Sequence, residues 1–104
     1  MSKEVYFVVC IRNKDSNDLI GNSRCWGYFF DLEEAKKTVS TNVLDIAEDN
    51  YYNYALIEKV PKGICPVIEG IEEMQWYKYD TYVNEYKECK KPEWSKLIVQ
   101  WAIK

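Results

Sequence analysis

Histidine is absent from all 104 positions. That absence excludes Ser-His-Asp and Cys-His nucleophile systems and every histidine-ligated metal centre. Cysteine is sparse and scattered. Cys10, Cys25, Cys65 and Cys89 contain no C-x-x-C pair to form one side of a zinc site, and they read as reduced thiols, mostly buried. Glycine and proline supply only four and three residues, and no glycine-rich phosphate loop can be assembled from them. Walker-type and dinucleotide-binding folds are therefore out. The longest apolar run, Val5 to Ile11, is far short of the roughly 20 residues of a membrane-spanning helix, and the Met-Ser-Lys-Glu start is unlike a signal peptide. A soluble cytoplasmic protein without disulfides or a membrane partner is expected. Positive charge is also in deficit, with 14 Lys and Arg against 17 Asp and Glu and a net charge of -3. Long nucleic acids need the opposite balance and are not expected partners.

Aromatic residues are plentiful: nine Tyr, four Trp and three Phe. A chain of this size forms one domain, here residues 1–104, and such a composition fills a dense core with aromatic surface to spare. The segment KEVYFVVCIR, residues 3 to 12, is β-branched and aromatic, as a strand buried on at least one face should be. SRCWGYFF, residues 23 to 30, is a second strand, paired with the first as an antiparallel hairpin, and Gly27 within it suggests a bulge or a close backbone approach. Asp31, three residues before Glu34, has the capping-box spacing of a helix start. Leu32, Ala35, Val39, Val43, Ile46 and Ala47 then form an apolar stripe that predicts one amphipathic helix over 31 to about 49. YNYALIEKV (52–60), MQWYKYD (74–80), TYVNEYKEC (81–89) and a closing KLIVQWAI read as further strands, with ICPVI (64–68) able to extend or bulge an edge. The order ββαββββ gives an α+β fold, a mainly antiparallel sheet of about six strands with one helix on one face.

Two arginines, Arg12 and Arg24, stand at the facing ends of the first two strands. If paired positions sum to 36, the arginines face each other, Cys10 faces Trp26 and Val8 faces Tyr28, all on one face. Two guanidiniums beside large aromatics suit a planar ring that carries phosphates. A sum of 35 sends the arginines to opposite faces. The plainer alternative is two surface arginines in weak ion pairs with some of the 17 acids. Tyr77 and Tyr79 form a second aromatic candidate with Tyr82 and Tyr86 nearby. Alternation sets Tyr77 and Tyr79 on the face opposite Trp76, where an exposed tyrosine surface would serve stacking or subunit packing. The carboxylates Glu33-Glu34, Glu72-Glu73 and Asp45 to Glu48 carry little weight as acid-base or cation sites, since helix neighbours diverge and the first pair suits a helix N-terminus. Neither a metal, a cofactor nor a catalytic residue is expected.

From residue 26 to 66 the run WGYFFDLEEAKKTVSTNVLDIAEDNYYNYALIEKVPKGICP resembles the small phage-encoded Thoeris anti-defence proteins of the first type. The shared features are an aromatic-Gly-Tyr-Phe strand, an acidic helix start, N-x-x-D-I-x-E at Asn42 to Glu48, Tyr-x-Tyr-Ala-x-Ile-Glu, and a Gly-Ile-x-Pro turn. WYKYD at 76 to 80, KPE at 91 to 93 and a closing WAI extend the likeness, although the chain ends VQWAIK where the family pattern would have an Asn and a terminal Gly. The resemblance implies a non-enzymatic sponge in the cytoplasm of an infected bacterium. Such a protein binds a cyclic ADP-ribose-type immune signal and holds it uncleaved, and some relatives trap cyclic oligonucleotides and form larger assemblies. A homodimer or higher homo-oligomer is expected, with Arg12, Arg24, Trp26, Tyr28, Tyr77 and Tyr79 as ligand-binding candidates. The rival expectation is a small phage module that blocks a host protein through an aromatic face.

Overall fold

The β-branched and aromatic segments pair into one antiparallel sheet, seen in a computed structural model that describes residues 4–12, 22–61 and 72–93. Its strands are β1 (Glu4–Arg12), β2 (Asn22–Phe29), β3 (Tyr54–Pro61), β4 (Glu72–Asp80) and β5 (Glu85–Cys89), in the order β2-β1-β3-β4-β5. A helix, α1 (Leu32–Ser40), lies between β2 and β3 in the chain and packs on β5, β1, β2 and β3. This is the expected α+β architecture, with five strands among the described residues. The ICPVI segment and the KLIVQWAI strand fall outside them.

Alternation along the strands divides the side chains between two buried layers. Under α1 lie Val8 and Cys10 of β1, Ala55 and Ile57 of β3, Tyr77 and Tyr79 of β4 and Tyr86 of β5, packed on Ala35 and Val39 of the helix. On the other face Val9, Ile11, Leu56 and Trp76 form a smaller buried cluster. Tyr77 and Tyr79 are thus opposite Trp76, as alternation requires. Their side is not an open tyrosine surface, because α1 and residues 46–52 cover it.

The helix is shorter than its apolar stripe suggests. Glu33 and Glu34 sit in the first turn, where negative charge complements the helix dipole, and Leu32, Ala35 and Val39 face the sheet. Asp31 occupies the N-cap in extended conformation, but its side chain caps nothing, so the expected capping box does not form. At the other end the hydroxyls of Ser40 and Thr41 both donate to the Lys37 carbonyl. Asn42 then adopts the left-handed conformation and ends the helix. From there the chain folds as successive three-residue turns: the amides of Asp45, Glu48 and Tyr51 donate to the carbonyls of Asn42, Asp45 and Glu48. Positive φ angles at Asn42, Leu44, Asp45, Glu48, Asp49 and Asn50 are incompatible with continued helix. Ile46 and Ala47 still reach the core, while Val43 and Leu44 are exposed.

Around the arginines the β1–β2 register differs from both sequence alternatives. Cys10 pairs with Arg24 and Arg12 with Asn22, a sum of 34; past a bulge between Val8 and Val9 the sum becomes 35, with Val8 opposite Gly27 and Phe7 opposite Tyr28. The extra residue is Trp26, so the bulge expected from Gly27 is present beside it.

Candidate functional site

Register decides where the arginines go. Because Arg24 pairs with Cys10, whose side chain lies under α1, both Arg24 and Arg12 are on the helix side, as diagonal neighbours on adjacent strands. The turns after α1 bring Glu48, Tyr51 and Tyr52 to the same end of the sheet, since Tyr54 pairs with Ile11 and the residues just before it must lie close to Arg12. Arg12 donates from Nη1 to the Tyr51 carbonyl at 3.0 Å, and its guanidinium carbon sits 4.3 Å from the Tyr51 ring centroid. Arg24 stacks in the same way on Trp26, 4.1 Å from the ring centroid. Each cation is thereby held against an aromatic face.

One acid partly offsets this charge. Glu48 Oε2 is 3.6 Å from Arg24 Nη1, and both side chains are about half exposed, a separation and exposure at which an ion pair contributes little and a competing anion can displace it. Tyr52 is buried beside this pair, with its ring edge-on to Tyr51 at 4.9 Å. Burial raises the Tyr52 hydroxyl above its ordinary value, followed by the nearby Glu48 carboxylate, while Arg24 works the other way. The hydroxyl is therefore a neutral hydrogen-bonding group at neutral pH.

Behind the arginines is a fixed scaffold. The Tyr86 hydroxyl donates to the Tyr52 carbonyl at 2.6 Å and lies 3.7 Å from Cys10 Sγ, tying β5, β1 and the Tyr51-Tyr52 segment together. Burial pushes the Cys10 thiol up to about 12, so it is no nucleophile at neutral pH. The Trp26 Nε1 atom is buried with no hydrogen-bond acceptor, although the Cys10 sulfur is close enough to feel it.

Of the six residues expected to bind a ligand, Arg12, Arg24 and Trp26 come together. Tyr28 does not join them. The shift in register at the bulge pairs it with Phe7 on the other face, where it is 61% exposed and packs edge-on against Phe30 at 5.7 Å. Tyr77 and Tyr79 are core residues, 1% and 8% exposed, and offer no ring to solvent. Burial raises the hydroxyls of both, that of Tyr77 to about 12. In their place stand Tyr51, which falls between the expected helix and strand, and Tyr52, expected as the first residue of that strand. Only the chain path through the left-handed turns brings them to Arg12.

Two of the cavities formed by the described residues lie on the helix side. The larger, about 550 Å³ between α1 and β5, is lined by Lys36, Lys37 and Lys87 but also by Glu33, Glu85 and Glu88, and its charges cancel. The smaller, about 250 Å³, is almost wholly apolar and has Trp26 as one wall. Among the described residues no group of His, Cys, Asp and Glu is placed to hold a metal ion, and no helix is long and apolar enough to cross a membrane. Comparison of the chain with protein-family models, with curated proteins and with solved structures finds no match.

Proposed function

We propose that this protein sequesters a small diphosphate-bearing nucleotide of the cyclic ADP-ribose type and returns it chemically unchanged. The observation that carries the reading is the pair Arg12 and Arg24: two guanidiniums on one face, each fixed on an aromatic ring, with the 3.6 Å contact of Arg24 to Glu48 exposed enough to be displaced. Paired guanidiniums match the charge of a pyrophosphate, and charge-assisted bonds to it contribute roughly 1.5 to 3 kcal/mol each. The sequence likeness to the phage anti-defence family agrees with this chemistry. So does the chain's lack of histidine, since capture by stacking and ion pairing needs no reactive group. The ligand's natural setting on this reading is the cytoplasm of an infected bacterium.

The test is mass spectrometry of small molecules released by heat from protein purified out of cells that make the signal. An intact cyclic ADP-ribose isomer, with its original effector activity, is the expected result. A linear or otherwise altered product that grows with time and disappears with chelator would establish an enzyme instead. A second reading, a module that blocks a host protein, is favoured by the exposed Tyr28-Phe30 pair. Release of no adenine-absorbing material would support that module over the sponge.

A further inference from the structure

Gly27 stands near the middle of β2, where glycine weakens a strand through its backbone entropy. Its conformation does not call for glycine, since φ lies outside the left-handed range. Crowding does not call for it either, because an added Cβ would meet no heavy atom within 4 Å. The space that a side chain would occupy belongs to the apolar cavity of about 250 Å³, bounded by Val8, Trp26, Gly27, Phe29, Thr38 and Ile46. Drug-sized ligands fill about 300 to 1,000 Å³, so this volume fits one ring system and not a whole dinucleotide.

The indole of Trp26 belongs to both features: it is a wall of the cavity and it carries the Arg24 guanidinium 4.1 Å from its centroid. An occupant of the cavity therefore lies within one aromatic ring of a cation.

We propose that the cavity beside Gly27 is a nucleobase slot, holding the flat base of the same molecule whose phosphates lie on Arg12 and Arg24. This assignment rests on the diphosphate reading of the arginine pair and adds to it where the base goes and why Gly27 is a glycine. Stacking on an aromatic wall gives ring affinity with little discrimination among bases, which suits a lining that is mostly apolar.

The experiment is calorimetric titration of wild type, Gly27→Ala, Gly27→Val, Arg12→Ala and Arg24→Ala with inorganic pyrophosphate, ADP, ADP-ribose and cyclic ADP-ribose, each protein checked by thermal melting. Wild type binds at least one adenine ligand tenfold or more tighter than pyrophosphate. Gly27→Val, whose side chain projects into the slot, loses that advantage and keeps its pyrophosphate affinity, while the smaller Gly27→Ala loses part of it. Should Gly27→Val fold poorly, a graded loss in Gly27→Ala alone carries the test. The arginine variants weaken every ligand, pyrophosphate included. Undiminished adenine affinity in Gly27→Val overturns the slot and leaves the arginine site standing, and so does a wild type that prefers no adenine ligand to pyrophosphate. Unchanged pyrophosphate affinity in both arginine variants overturns the diphosphate reading itself. A Gly27→Val protein that alters only its particle mass would assign the cavity to a second copy of the chain and overturn the slot.

Discussion

A thiol and several phenols set how this protein responds to alkali. Cys10 is fully buried, and its folded-state value near 12 compares with 9.0 for an ordinary thiol. Tyr77 is raised from 10.0 to about 12, and Tyr86 is raised further by burial and by Cys10 beside it. In each case the folded chain keeps a proton that the unfolded chain releases. Stability from these groups is thus fully present below about pH 9 and falls as pH rises from 9 toward 12. Each pH unit over which one such group is charged only in the unfolded chain removes at most about 1.4 kcal/mol. The melting temperature is expected to drop by about 4 °C or more between pH 8.5 and 11, as followed by circular dichroism. A flat profile would mean that these hydroxyls and the thiol titrate freely. Burial also explains what sequence could say of single residues. Alternation separated Tyr77 and Tyr79 from Trp76, but which side would be covered depends on where the helix packs, and no local pattern records that.

At the scale of elements, local chemistry was legible up to Ser40 and misleading beyond it. Leu32, Ala35 and Val39 have helical spacing and are α-helical; Val43, Ile46 and Ala47 continue the spacing, but Val43 opens a single 3-10 turn and Ile46 and Ala47 lie in the turns after it. The element that overrides the pattern is Asn42. Besides taking the left-handed conformation, its Nδ2 donates to Asp45 Oδ1 at 3.1 Å and to the Asn84 carbonyl at 3.4 Å, and its Oδ1 accepts from the Ala47 amide at 3.0 Å. One side chain thus stops α1, starts the turns that deliver Tyr51 to Arg12, and joins them to the β4–β5 connection. That dependence is why the arginine pair was visible in the sequence while its tyrosine partners were not. Asn42→Ala loses these bonds and strains the backbone, and should cost about 1 to 3 kcal/mol in urea denaturation. Asn42→Gly loses the same bonds without the strain and should cost less. Equal stability of all three proteins would show that the turns form without Asn42.

On the scale of the whole molecule, the abundance of aromatic residues does not by itself call for a partner, because Tyr77, Tyr79 and Tyr86 fill one buried layer and Trp76 the other. What remains outside is more specific. Tyr28 of β2, the outermost strand at one side of the five described, and Phe30 just after that strand are 61% and 64% exposed, and Leu44, 95% exposed, stands on the turn after α1. Tyr28 and Leu44 also edge the cavity next to Gly27. An exposed pair of touching aromatic rings such as Tyr28 and Phe30 on a small protein commonly marks an interface, and symmetric association of identical chains is its simplest use. Two aromatic rings can bury about 150 to 250 Å² each, against roughly 800 Å² per partner in a standard interface, so the patch would form the centre of a larger contact. We therefore expect at least a dimer by light scattering at micromolar concentration, and Phe30→Glu should shift it toward monomer without lowering the melting temperature, since that ring contributes little to the core. A wild-type particle of 12.4 kDa would refute the dimer and leave Tyr28 and Phe30 free to meet a different protein.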